Sequence, residues 1–326
     1  MSKILITGGS GFLGSHCIVA ALAAGHEVRT TLRSLEKASE VRSMLRAAGA
    51  DPRHEIDFYA ADLEYDDGWI KAVSDCDYVL HTASPFPSAQ PENPDDLIIP
   101  ARDGALRVLR AAVAAGVQRV VLTSSFAAVG YGPNSPGHLY TENDWTPLDA
   151  PNPPYILSKA IAERAAWDLV KDHRTLELSV INPTGIFGPA LGPQLSTSVQ
   201  IVKRLLDGTF PAELPDMWFG VVDVRDVADL HLRAMTEPAA AGERFIAVSG
   251  EPLSLLDVAT VLRERFGDLA ARVPKRAVAF SSKTNHRRSS CEKARQTLDW
   301  TPRSSNDAII ATVESLIKLK LLNSSN

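Results

Sequence analysis

The chain of 326 residues has room for two domains or one large one, and its 45% hydrophobic and 22% charged content is that of an ordinary globular protein with ample material for a core. Its 34 basic against 39 acidic residues leave a net charge of −5, which argues against general nucleic-acid binding, and no run of five like charges offers a polybasic membrane or nucleic-acid tail. The longest apolar-looking stretch, Ile18 to Ala24, is far short of the roughly 20 residues that span a bilayer. The N-terminal run Ile4-Leu5-Ile6 breaks on glycines too soon for a signal peptide, so the expectation is a cytoplasmic protein with no membrane partner. Cys17, Cys76 and Cys291 are widely spaced and unaccompanied by histidine clusters. They read as buried or inert thiols, and neither a disulfide framework nor a metal site is expected.

In chain order the first half alternates strand and helix patterns. Lys3–Thr7 reads as a strand, 11–24 as a helix stopped by Gly25, Glu27–Leu32 as a strand and 35–48 as a helix stopped by Gly49. Strands follow at 56–61, 78–83, 119–124 and 176–182. The helices between them are a short one near 66–74 and long ones at 97–115 and 155–171. Such alternation predicts an α/β fold, a Rossmann-type doubly wound parallel sheet covered on both faces. Beyond Pro183 the rhythm changes. Residues 185–215 are rich in Gly, Pro and Ser with one helical piece near 199–206. The segment Val221-Val222-Asp223-Val224-Arg225-Asp226 reads as a return to the sheet and 244–248 as one more strand, while 253–266 and 307–321 read as amphipathic helices. The expected division is a dinucleotide-binding domain of 1–184 plus about 221–249, with a smaller interleaved C-terminal substrate lobe of about 185–220 plus 250–326. Pro-rich loops at 85–100 and 130–154 follow strand ends, where open α/β sheets bind ligands.

Thr7-Gly8-Gly9-Ser10-Gly11-Phe12-Leu13-Gly14 follows a strand and opens a helix. Glycines here permit a tight turn and close approach to a pyrophosphate, and the helix N-terminus offers free N–H groups to phosphates. The fingerprint expects an acidic residue about 20 positions on for the ribose 2′-hydroxyl. The second strand instead ends Thr31-Leu32-Arg33-Ser34, with Lys37 following, and Glu36 comes too late. A guanidinium and an ammonium suit a 2′-phosphate, so the expected cofactor is NADPH rather than NADH. Asp62-Leu63 is placed to contact the adenine, though Asp62 could equally cap the next helix. Small residues at Thr82, Ala83 and Ser84 let a cofactor lie close, and His81 reads as a packed strand residue.

Tyr155 and Lys159 stand at i and i+4, on one helix face, at the start of the helix after the fifth strand. Reduction of a carbonyl needs a proton donor at the developing alkoxide. Tyrosine ordinarily titrates near 10. A lysine cation about 4 Å away, at an effective dielectric near 20, is worth about 4 kcal/mol, roughly three pKa units. Lys159 is thus expected to bring Tyr155 to about 7 and to hold the nicotinamide ribose. A hydroxyl at the end of the fifth strand would polarise the carbonyl. Ser125, the last before the chain leaves the sheet, is favoured, with Ser124 as the alternative. No G-x-S-x-G turn accompanies them, so a hydrolase triad is not expected.

Taken together, Thr7-Gly8-x-x-Gly11-Phe12-x-Gly14, Asp62-Leu63, Ser124-Ser125, Tyr155-x-x-Ser158-Lys159 and Asn182-Pro183-Thr184 resemble the extended short-chain dehydrogenase/reductase family over nearly the whole chain. Lys293-Ala294 and Leu298-Asp299-Trp300-Thr301-Pro302 look like its C-terminal element. His81-Thr82-Ala83-Ser84-Pro85-Phe86, Ile99-Pro100-Ala101-x-x-Gly104 and the run from Ser158 to Trp167 resemble the reductase branch, which includes dihydroflavonol 4-reductase, cinnamoyl-CoA reductase and microbial aldehyde and ketone reductases. Gly130 stands where dihydroflavonol reductase carries an Asn, and Pro154-Tyr155-Ile156-Leu157-Ser158-Lys159 departs from the cinnamoyl-CoA reductase signature. What remains resembles a microbial carbonyl reductase for small aldehydes, ketones or keto esters.

The resemblance implies cofactor contacts from Pro183 and Thr184 besides the residues above. It also implies a largely apolar substrate pocket of Ser84, Phe86, Phe126, Phe187, Met217, Trp218 and Phe219, and pairing of helices 97–115 and 155–171 between subunits of a homodimer. His286, Arg287 and Arg288 form a small basic cluster that reads as a solvated loop. The alternatives are a nucleotide-sugar epimerase or dehydratase with tightly held NAD, and a non-catalytic dinucleotide-sensing protein.

Overall fold

The structure is a computed structural model that describes residues 1–50, 56–85, 91–132, 137–278 and 286–323. Seven strands form one sheet: β1 (Lys3–Thr7), β2 (Glu27–Leu32), β3 (Ile56–Ala60), β4 (Tyr78–His81), β5 (Arg119–Thr123), β6 (Glu177–Pro183) and β7 (Arg244–Ala247). Their order is β3-β2-β1-β4-β5-β6-β7 and every pairing is parallel. The order reverses between β1 and β4, and their carboxyl ends, Thr7 beside His81, open the crevice in which such sheets bind ligands. The sheet confirms the doubly wound fold.

Period-two alternation makes both faces apolar. Ile4 and Ile6 of β1 face one core with Leu80, Val121, Ile181 and Ile246, while Leu5 faces the other with Val79, Val120, Leu122 and Val180. The helices α1 (Phe12–Ala23), α2 (Ala38–Ala47), α3 (Trp69–Val73), α4 (Asp95–Ala115) and α5 (Pro154–Asp172) follow the first five strands. Helices α1 and α2 cover the first face, and α3, α4 and α5 the second. Helix α4 begins two residues earlier than the pattern suggests because Asp95 and Asp96 supply negative charge to its first turn, and it ends on Gly116 at φ +70. The segment 35–37 forms a 3-10 turn before α2, capped by the Ser34 hydroxyl, in place of a continuous helix.

The expected return to the sheet at 221–226 is corrected. Val221–Asp223 pairs in parallel with Gly185–Phe187, in a two-stranded ladder apart from the large sheet. Asp223 then caps a helix, its carboxylate accepting from the Arg225 N–H at 2.8 Å, so Val224, Arg225 and Asp226 open the helix. After α6 (Thr197–Leu206), this helix, α7 (Val224–Thr236), packs against α1 and leads to β7, the strand that does join the sheet. A third apolar cluster draws Phe187, Val202, Leu214, Leu255, Leu262 and Leu316 from α6, α8 (Leu255–Phe266), α10 (Ser305–Lys318) and the loops between. The short α9 (Glu292–Leu298) delivers buried Trp300, whose indole N–H donates to the Asp226 carbonyl at 2.9 Å. Among the described residues no helix is long and apolar enough to cross a membrane. Cys17, Cys76 and Cys291 are buried free thiols, and burial pushes Cys76 up to about 11.

Candidate active site

The chain leaves β1 at Thr7 and turns on Gly8, at φ +71. A Cβ at Gly8 would lie 3.1 Å from the Ala83 Cβ, and one at Gly14 would lie 2.4 Å from the Gly8 carbonyl oxygen. The turn is therefore bare backbone wedged between α1 and the end of β4. Helix α1 opens at Phe12 and Leu13 from Gly11 with no side-chain cap, so its first N–H groups remain for a ligand. Gly8 N–H donates to Thr31 Oγ1 at 3.1 Å and Gly9 N–H to the Thr31 carbonyl at 3.3 Å. These bonds pin the turn to the carboxyl end of β2, from which exposed Arg33 and half-buried Lys37 follow. The cradle and its adjoining cations fit a phosphorylated dinucleotide.

On the other side, the Thr7 hydroxyl accepts from Ala83 N–H at 3.0 Å and bonds His81 Nδ1 at 2.8 Å, while the Thr82 hydroxyl donates to the Thr7 carbonyl at 2.6 Å. Burial, helped by the Lys159 charge, pushes His81 down to about 3, so it is a neutral packing residue. The Asp62 carboxylate accepts from Glu64 N–H at 3.1 Å and closes a turn, whereas the next helix starts only at Trp69. Leu63 lies against Gly104 of α4, where an added Cβ would approach its Cβ to 2.9 Å. Beyond buried Pro183, the Thr184 N–H and hydroxyl both donate to the Ala247 carbonyl, at 3.1 and 3.2 Å.

Pro154 opens α5, a position where its missing N–H costs nothing, and Tyr155 and Lys159 follow on one face. The Tyr155 phenol and the Ser125 hydroxyl are hydrogen-bonded to each other. Ser125 Oγ also accepts from Ala127 N–H at 3.1 Å, which fixes the serine at the start of a 3-10 turn directly after β5. The Lys159 ammonium donates to Ser84 Oγ at 2.8 Å and lies 5.8 Å from the centre of the Tyr155 ring. Burial lowers Lys159 to about 8. The expected lowering of Tyr155 is not found here. Burial outweighs the Ser125 hydrogen bond and pushes the phenol above its usual value.

Ser124 faces away from this group. Its hydroxyl donates to Glu163 Oε2 at 2.5 Å, beneath the site. The same carboxylate, wholly buried, accepts from Asn182 Nδ2 at 2.7 Å, Arg244 Nε at 2.5 Å and the Trp167 indole at 3.3 Å. Asn182 Nδ2 also reaches the Ser125 carbonyl at 3.2 Å. Glu163 lies one turn beyond Lys159 and ties α5 to β5, β6 and β7. A cavity lined by Leu63, His81, Ser84, Thr123, Lys159 and Glu163 lies between the sheet and α4 and α5. The i+4 spacing of Glu163 from Lys159 was the one signal of this network in the sequence.

The expected pocket residues divide. Ser84 reaches Lys159, and Phe126 is buried edge-on to Tyr131 and Tyr140. Phe187 is fully buried, stacked on Phe219 at 5.7 Å, and belongs to the third core, not to a ligand surface. Met217 is exposed, and the Trp218 and His286 rings meet at a tilt of 32° with centres 3.6 Å apart. Phe86 lies outside the described residues. The basic cluster is not wholly a solvated loop, for Arg287 lies over the Tyr131 ring at 4.4 Å and Arg288 grips Glu251 with two bonds of 2.7 Å.

A family profile described as the NAD dependent epimerase/dehydratase family matches residues 4–247. The chain belongs to this family. Within its extended short-chain dehydrogenase/reductase group, the chain is 34% identical to the ketoreductase azaE of Aspergillus niger, over 97% of this chain and 98% of that protein. It is 32% identical to the NADPH-dependent methylglyoxal reductase GRE2 of Saccharomyces cerevisiae, over 83% and 85%. The crystal structure of yeast methylglyoxal/isovaleraldehyde reductase Gre2 complexed with NADPH superposes with a TM-score of 0.84 at 28% identity, over 98% of this chain and 99% of that one. The glycine turn, Arg33 and the Ser125–Tyr155–Lys159 group all fall within the matched span of the family.

Proposed function

We propose that this protein is an NADPH-dependent carbonyl reductase in which Ser125, Tyr155 and Lys159 carry the chemistry. It is an oxidoreductase of the extended short-chain dehydrogenase/reductase family and reduces a small-molecule carbonyl compound to the alcohol. The observation that carries the assignment is the hydrogen bond between the Tyr155 phenol and the Ser125 hydroxyl, at the carboxyl edge of β5, with Lys159 one turn along the same helix. Similarity to the NADPH-dependent reductase of Saccharomyces cerevisiae, and to its structure with NADPH, supports the cofactor.

NADPH, when bound, supplies a hydride to the carbonyl carbon. Negative charge then grows on the carbonyl oxygen, and Tyr155 gives it the phenolic proton while Ser125 donates a second hydrogen bond. Lys159 offers its cation to the resulting phenolate and to the nicotinamide ribose; the bond it now makes to Ser84 is the contact it would exchange. The glycine turn with Thr7, Gly8, Gly11 and Gly14 would hold the pyrophosphate, and Arg33 with Lys37 the 2′-phosphate. The two-part division of the chain, with 1–184 plus about 221–249 for the dinucleotide and the rest for substrate, fits the separate third core.

The test is Tyr155→Phe. It is expected to lower kcat by at least about 100-fold while NADPH binds with unchanged affinity. Retention of most of the turnover would remove Tyr155 from the role of acid.

A further inference from the structure

Of the three consecutive residues His286, Arg287 and Arg288, two are committed to the protein. His286 packs its ring against Trp218, and Arg288 is held by both oxygens of Glu251. Arg288–Ser289 also pairs in parallel with Leu139–Tyr140, and Ser290 N–H donates to the Tyr140 carbonyl at 2.9 Å, so the backbone directly after Arg287 is anchored. Between them stands Arg287, half-buried, its guanidinium 4.4 Å from the centre of the Tyr131 ring. Among the described residues no carboxylate or carbonyl takes its N–H groups.

Tyr131 connects this cation to the chemistry. Its ring lies 6.2 Å from that of Phe126, the residue after Ser125, and its phenol and that of Tyr155 influence one another electrostatically. The Arg287 charge in turn opposes the effect of burial on Tyr131. A guanidinium lying flat on an aromatic ring keeps its in-plane donors free, and that fork matches a carboxylate with two parallel hydrogen bonds. The aromatic contact also spares the cation part of the entropy of being ordered by a ligand.

We infer that Arg287 is an anion-recognising residue of the substrate pocket, and that the favoured substrates are keto acids whose carboxylate lies several bonds from the reacting carbonyl. The inference rests on the reading of Tyr155 as the proton donor. Arg287 reaches Tyr155 only by way of Tyr131, which it covers and which acts electrostatically on the Tyr155 phenol, so the proposed substrate carries its carboxylate about three methylenes from the carbonyl rather than next to it as in a 2-oxo acid. The rest of the wall is aromatic and tolerates the intervening chain.

The probes are 5-oxohexanoate and its methyl ester, which differ in one charge. With NADPH at neutral pH and low salt, kcat/KM for the acid is expected to exceed that for the ester by about tenfold, or about 1.4 kcal/mol, mostly in KM. Arg287→Met is expected to bring the ratio near one and Arg287→Lys to keep part of it. Raised salt should shrink the ratio in the wild type but not in Arg287→Met. An ester turned over as well as or better than the acid, or a ratio unmoved in Arg287→Met, overturns the inference and leaves the reductase standing. Failure of both probes and of every simple aldehyde, with NADPH bound, overturns the reductase reading and the inference with it.

Discussion

The Ser124 hydroxyl donates to the buried Glu163 carboxylate at 2.5 Å, so of two adjacent serines only Ser125 is directed at Tyr155. A hydroxyl so engaged with a charged acceptor is not available to a substrate oxygen. Ser125→Ala is therefore expected to cut kcat by about 100-fold with little loss of stability. Ser124→Ala should cost about 1.5–3 kcal/mol of stability and leave kcat within a few-fold. Steady-state kinetics and urea unfolding of the two variants check this, and the reverse pattern would reassign the hydroxyl.

Arg33 is exposed at the end of β2, beside the glycine turn. Its replacement by Ala removes a charge that NADPH can use and NADH cannot. The KM for NADPH should rise about tenfold or more, with that for NADH little changed. Equal effects on the two cofactors would place the 2′-phosphate elsewhere.

Lys159 is lowered to about 8 by burial. Its cation is present below that pH and lost above it, so kcat/KM should fall as pH rises through about 8. Lys159→Arg keeps its charge at all accessible pH values. The residual activity of that variant should lack the break, and a break that persists would belong to another group.

Three buried histidines bear on stability. Burial holds His16 and His231 down to about 4 and His81 to about 3. The unfolded chain takes up these protons near 6.5 and the folded chain does not, so stability is full above about 6.5 and falls as pH drops below it. Each histidine contributes up to about 1.4 kcal/mol per pH unit in that window. Glu142 and Asp226, held above the usual carboxylate range by burial, act in the opposite sense at lower pH. Urea midpoints measured from neutral pH to just below 6 should decline, and a flat profile would contradict the neutral burial of these rings.

Local patterns sufficed where local forces decide. The strands Lys3–Thr7 and Glu27–Leu32 and the glycine stops at Gly25 and Gly116 follow from runs of apolar residues bounded by residues that favour turns. At 221–226 only three residues pair, the last of them Asp223, which also caps a helix, and the strand pattern alone could not show where pairing ends. The choice between Ser124 and Ser125 depends on Glu163, which reaches them from another element. Phe187 looked like a pocket residue because its neighbour Phe219, which buries it, is distant in the chain. Arg287 looked solvated because its partner Tyr131 lies on the loop after β5. Contacts between distant segments have no signature in a local window, and they govern which polar side chains are spent on the fold and which are left for a ligand.

The decisive measurement mixes the purified protein with NADPH and a panel of simple aldehydes, ketones and keto esters, and follows loss of reduced-nicotinamide absorbance together with the product. A carbonyl reductase oxidises NADPH mole for mole with the alcohol formed, much more slowly with NADH and not at all as Tyr155→Phe. No oxidation with any carbonyl, together with NAD released on denaturing the protein, would contradict it and favour an epimerase or dehydratase.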